Sequence, residues 1–284
     1  GLQQRGVRVL ENVIDSRIQA YVLNSVHFDV QRFSQLAARQ TVSIVHRIDG
    51  PIHLIRGRDR EQDDLCYHLN RRFATTTVLQ SAWTYRRIVG SGYEPVSPVI
   101  IRNGVDPEIF YPRERATHET NDRKLRLVAS SWSDNPNKGG DLYRWLEEHL
   151  DESRFEFTFV GRTSTALKRA RVIEPVPSEQ LAEILRTQDI YITASINDPC
   201  SNALIEAQAC GLPALYRNDG GHPELVGTGG LPFHDHNDVL AQLDRLANHY
   251  PMFSRLVCPP TLDQAVDAYL SLLRSIAQAV PCAA

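Results

Sequence analysis

Two carboxylates eight positions apart, Asp198 and Glu206, stand in the run NDPCSNALIEAQACGLPALYRNDGGHPE, Asn197 to Glu224. DIYITAS before them reads as a strand, INDPCS as a loop, and NALIEAQAC as a helix that Gly211 closes as a C′ residue ahead of a strand from Pro213. Asp198 then lies in a loop at a strand's carboxyl end, and Glu206 one turn or more into the helix. Open α/β sheets bind ligands at that end, where helix N-termini accept anions. Acids so spaced can hydrogen-bond two sets of hydroxyls on one elongated ligand, with the helix start between them facing a phosphate.

The elements that must position these residues alternate along the chain. Strand-like runs VRVLENV, AYVLNSV, TVSIVHRI, TTTVLQS and PVIIRNG come first, then LRLVASSW, FEFTFVG, DIYITAS and LPALYRN, with amphipathic segments such as SEQLAEILRTQ between them. Near-continuously apolar strands separated by helices predict doubly wound α/β structure with parallel sheets. A polar, charged stretch from Pro112 to Lys124 precedes a fresh strand at Leu125 and marks a junction. The division expected is a first Rossmann-like domain over 1–110, a second over 111–260, and a helix in 261–284 that packs back on the first.

Composition narrows the classes. The 284 residues carry a net charge of −3, and no apolar run approaches the length of a membrane span. Five cysteines, Cys66, Cys200, Cys210, Cys258 and Cys282, form no CxxC pair, which disfavours a zinc site or a disulfide scaffold and predicts a cytoplasmic setting. Residues 1–110 hold 14 Arg and no Lys against 11 Asp and Glu, a net of +3, leaving −6 for the remainder. That asymmetry suits an anionic acceptor, or peripheral contact with the inner face of a membrane, bound by the first part. No G-x-G-x-x-G follows a strand, which disfavours a dinucleotide dehydrogenase, and no D-x-D run in a strand-end loop suggests a metal. No nucleic-acid partner is expected.

The acid pair, SNALIEAQACGLP and the GG-x-x-E after it resemble the retaining nucleotide-sugar glycosyltransferases of family 4, which have the GT-B fold of two Rossmann-like domains facing a cleft. VHRIDG, NGVDPEIF, NKGG and FVGR follow in the family's order, so the likeness runs from Arg8 to about Leu246. The resemblance implies a hexose moved from a UDP-, GDP- or ADP-linked donor to a hydroxyl of a glycan, lipid or small molecule, with retention and without a cofactor. It makes Glu206 the acid on the ribose, Asp198 the one facing the donor sugar, and Ser201, Asn202 and Ala203 the helix start against the distal phosphate. Lys138 of NKGG corresponds to the lysine that neutralises the diphosphate, and the leaving group needs a cation there. His46 of VHRIDG corresponds to the histidine whose carbonyl or ring faces the sugar, and Val172 to Val176 to the loop packed on the base.

Two positions depart from the family. Asp198 stands where Glu is usual, and Ser133 where an Arg precedes the lysine by five residues, so either another basic residue such as Arg162 substitutes for it or leaving-group stabilisation is poorer. These departures keep open a catalytically weak nucleotide-sugar-binding protein, while an epimerase of the same fold is a further alternative. GLQQRGVRVL reads as the end of a first helix and the start of a second strand, so the resemblance implies a first strand and glycine-rich loop upstream and a first domain that is N-terminally truncated.

Overall fold

The computed structural model describes residues 1–57, 60–112 and 123–278. Contacts divide the chain into one unit of Gly1–Asn103 with the chain from Leu262 onward, and another of Gly104–Thr261.

In the first unit β1 (Ala20–Asn24), β2 (Ser43–Ile48), β3 (Thr76–Leu79) and β4 (Pro98–Ile100) pair in parallel in that order. Between them run α1 (Val30–Ala37), α2 (Ile52–Arg56), α3 (Glu61–Phe73) and α4 (Ala82–Gly90). Parallel strands taken in chain order, joined by right-handed crossovers, carry their helices on one face. The two-residue strand period sorts β2 accordingly. Ile44 and Ile48 join clusters with Phe33, Leu69 and Cys66, whereas Val45 meets Val78, Ile101 and Ile276. Ile276 belongs to the last helix, Leu262–Gln278, which covers the opposite face.

The strand expected at VRVLENV does not form. Gln3–Arg5 is a 3₁₀ turn, residues 7–13 pair with no strand among the described residues, and Val9, Leu10 and Val13 stay exposed. Strand-forming residue types make a strand only where a neighbour supplies the ladder and a packed face.

The second unit holds β5 (Leu125–Ser131), β6 (Phe155–Gly161), β7 (Arg171–Ile173), β8 (Ile190–Thr193), β9 (Ala214–Arg217) and β10 (Gly230–Phe233). They form a parallel sheet in the order β10-β9-β8-β5-β6-β7. Its helices are α5 (Gly140–His149), α6 (Ser178–Arg186), α7 (Asn202–Ala209), α8 (His222–Val226), α9 (Val239–Asn248) and α10 (Tyr250–Arg255). Along β5, Leu127 and Ala129 face α5 and α9, while Val128 faces α6 and α7. Each fully buried aliphatic side chain in these layers contributes roughly 1.5–3 kcal/mol. The chain steps away from β5 to β6 and β7, then returns to its other side at β8. The strand order therefore reverses between β5 and β8, the kind of switch point at whose carboxyl end open α/β sheets bind ligands.

Candidate functional site

The loop after β5 carries Lys138, and the loop after β8 carries Asp198. Their side chains meet across that reversal, Lys138 Nζ lying 2.8 Å from Asp198 Oδ2. Local chemistry explains the approach. Asn135 Oδ1 accepts the Asn137 N–H, and Pro136–Lys138 forms a 3₁₀ turn closed by Gly139 at φ +83°. A Cβ on Gly139 would stand 2.5 Å from the Ala194 Cβ and 2.6 Å from its carbonyl oxygen, so only glycine lets the loops touch. Ile196 then donates its N–H to Asn137 O at 2.8 Å.

Asp198 is held on several sides. Its Oδ1 accepts the Cys200 N–H, and its main-chain oxygen accepts the Gly221 N–H at 2.8 Å. Gly220, at φ +64°, has no room for a Cβ, which would lie 2.3 Å from that oxygen. The preceding residue, Asn197, adopts φ +54° and donates its N–H to Asp219 Oδ1. Burial would raise the Asp198 carboxyl, but Lys138 beside it holds it below the usual range.

From the loop the chain enters α7. Ser201 is its N-cap, Oγ accepting the Leu204 N–H, and Asn202 and Ala203 open the first turn. Gly211, at φ +85°, ends the helix as its sequence position implies. Glu206 lies mainly inside the protein, and its Oε2 finds no hydrogen-bond partner. Burial pushes its carboxyl up to about 7. Buried polar groups ordinarily have a partner, and this oxygen has none among the described residues.

The other expected residues fall as follows. Arg162, exposed at the end of β6, directs Nη1 to Trp132 O at 3.3 Å, one residue from Ser133. Val172 lies on β7 and is exposed. His46 sits in the other unit, within β2 and fully buried. Its Nε2 reaches Ser25 O at 2.7 Å and its Nδ1 the Asn70 side-chain amide at 3.0 Å, so both ring nitrogens are engaged. Burial lowers its pKa.

His222 carries no sequence signal beyond its place in the GG-x-x-E run, yet it underlies the site. It is wholly buried, Nδ1 lying 3.1 Å from Arg217 O and Nε2 3.3 Å from Ser195 Oγ. The carbonyl can only accept, so Nδ1 carries the proton and Ser195 donates to Nε2. Burial keeps the ring neutral. Cys66, Cys200 and Cys210 are buried free thiols, while Cys282 lies outside the described residues. Among the described residues no group of His, Cys, Asp or Glu is arranged to hold a metal ion, and no helix is long and apolar enough to cross a membrane.

Residues 134–249 match the family described as Glycosyl transferases group 1. The chain is 31% identical over 129 residues to the D-inositol 3-phosphate glycosyltransferase of Corynebacterium glutamicum (strain R), covering 43% of this chain and 28% of that protein. It is 34% identical over 174 residues to the alpha-maltose-1-phosphate synthase of Mycolicibacterium smegmatis, covering 52% and 45%. The chain thus spans less than half the length of these relatives. Among solved structures, a glycosyltransferase from Rickettsia africae superposes with a TM-score of 0.64 at 14% identity, over 90% of this chain and 76% of that one. Identity that low shows a shared fold.

Proposed function

We propose that this chain, which is related to the family 4 glycosyltransferases of GT-B fold, transfers a hexose from a nucleotide sugar held by its second unit to a hydroxyl acceptor, with retention. The observation that carries the reading is the meeting of Lys138 and Asp198 at the strand-order reversal, followed by the N-terminus of α7 and the unpartnered Oε2 of Glu206. Each part suits one section of the donor. Glu206 accepts hydrogen bonds from the ribose hydroxyls, and residues 172–176 pack on the base. The start of α7 at Ser201, Asn202 and Ala203 takes the distal phosphate through main-chain N–H groups and the helix dipole. Lys138 neutralises the diphosphate, and Asp198 accepts from hydroxyls of the sugar.

Bond breaking at the anomeric carbon places its electron pair on the diphosphate, so a cation there acts most strongly in the transition state. Arg162 supplies a second cation beside Ser133. His46, its ring enclosed, supports β2 in the first unit. The similar proteins are named for different molecules, a D-inositol 3-phosphate glycosyltransferase and an alpha-maltose-1-phosphate synthase, and the family match lies within the second unit. The donor half of the reading therefore has the stronger support. The positive balance of residues 1–110 favours an anionic acceptor, free or at a membrane surface.

A thermal-shift series with UDP-, GDP- and ADP-glucose tests the donor, since ligand held by the folded state raises apparent stability. Nucleoside diphosphate release, measured with D-inositol 3-phosphate and with no acceptor, then tests transfer. A donor that binds without any release favours the weak nucleotide-sugar-binding protein, to which Ser133 in place of a cation points. Conversion of the donor sugar with no acceptor and no release identifies an epimerase.

A further inference from the structure

We propose that the Lys138–Asp198 ion pair makes this site select an intact nucleotide sugar over the free nucleoside diphosphate, and that the pair re-forms to displace the diphosphate once the sugar has been transferred. The inference rests on the nucleotide-sugar reading of the same site.

The two partners differ in freedom. Asp198 is 9% exposed and fixed through its main chain by Gly221 and through Oδ1 by Cys200, in a loop tied to Asn137 and Asp219. Lys138 has a flexible four-carbon stem, and its side chain is 38% exposed. Nζ has three N–H groups, one of them on Asp198 Oδ2, so an arriving diphosphate competes with the carboxylate for its charge, and full engagement of the phosphate draws Nζ off Oδ2. The carboxylate cannot follow, and a charge left unpaired in a buried place is strongly unfavourable.

An intact donor removes that penalty. Its sugar hydroxyls donate to the oxygen that Nζ vacates, so ammonium and sugar exchange on one carboxylate. A free nucleoside diphosphate brings no such hydroxyls. It carries more negative charge than the sugar-linked form and would bind more tightly to Lys138 alone, but the ion pair opposes it. After transfer the sugar leaves Asp198, Nζ returns, and the diphosphate loses its cation. Selection of substrate and release of product are then one exchange.

Calorimetry with UDP, GDP, ADP and their glucose conjugates, on wild type, Asp198→Asn, Lys138→Ala and the double variant, tests this. Asparagine keeps an Oδ1 acceptor for the Cys200 N–H but removes the charge. The matching diphosphate is expected to tighten by about tenfold in Asp198→Asn while its glucose conjugate weakens by about as much, inverting the preference. In the Lys138→Ala background the Asp198→Asn change is expected to leave diphosphate affinity unaltered. Asp198→Ser, checked for folding by thermal unfolding, is expected to show the same inversion. A diphosphate that binds wild type but binds Asp198→Asn equally or less well overturns the inference alone, because Asp198 then orients Lys138 for the phosphate. Failure of all six ligands to bind wild type overturns the nucleotide-sugar reading, and this inference with it.

Discussion

Replacing Glu206 by Gln should stabilise the ligand-free protein at alkaline pH while weakening donor binding. The Glu206 carboxyl rises from 4.5 to about 7 on folding, the effect of burial alone. Between these values the folded protein holds a proton that the unfolded chain has released, so stability falls as pH rises and levels off above 7. At 1.36 kcal/mol per pH unit the loss is about 3 kcal/mol. Glutamine has no proton to lose, so this contribution is absent from the variant, and the groups common to both proteins cancel in the difference between them. The variant should match wild type near pH 4.5 and exceed it by up to about 3 kcal/mol at pH 8, or roughly 6–12 °C in melting temperature for a domain of this size. Urea unfolding at pH 5 and pH 8, fitted for the second unit's transition, measures the difference. A Gln variant that loses stability in parallel with wild type from pH 5 to 8 would refute the account of Glu206 as a buried, unpaired acid. Ribose hydroxyls that donate to the carboxylate favour its ionised form, so donor binding near pH 6.5 should release protons. Calorimetry in buffers of different ionisation enthalpy detects that release, which the Gln variant should lack.

Lys138→Ala should lower turnover more than donor affinity, because charge grows on the diphosphate only as the glycosidic bond breaks; an unchanged turnover number with a raised Michaelis constant would make Lys138 a ground-state binder. Gly139→Ala should cost about 1–3 kcal/mol in the second unit and reduce turnover, since its Cβ would stand 2.5 Å from Ala194 at φ +83°; unchanged urea unfolding would contradict the close approach. His46→Phe should cost the first unit about 1–3 kcal/mol through the partners it leaves at Ser25 and Asn70, with nucleotide affinity unaltered; an undiminished unfolding midpoint would show those hydrogen bonds to be dispensable.

Much of this protein was legible locally. Spacing alone put Asp198 in a strand-end loop, Glu206 on the following helix and Gly211 at its end, because caps, turns and helical periodicity act over a few residues. The alternation of strands and helices likewise carried the parallel α/β class into both units. Tertiary structure decided the rest. Lys138 and Asp198 are 60 positions apart, and they meet because β8 pairs with β5, a long-range choice set by which faces bury together. Strand phase turned His46 into the layer of Phe28 and Asn70, although its position after apolar residues reads equally as a strand end. VRVLENV has strand composition but no partner ladder, and His222 became a buried brace only when β9 brought it beneath Ser195. Residue types and short spacings record local preference; which loops share a crevice, and which polar groups lose water there, depends on packing between segments far apart in the chain.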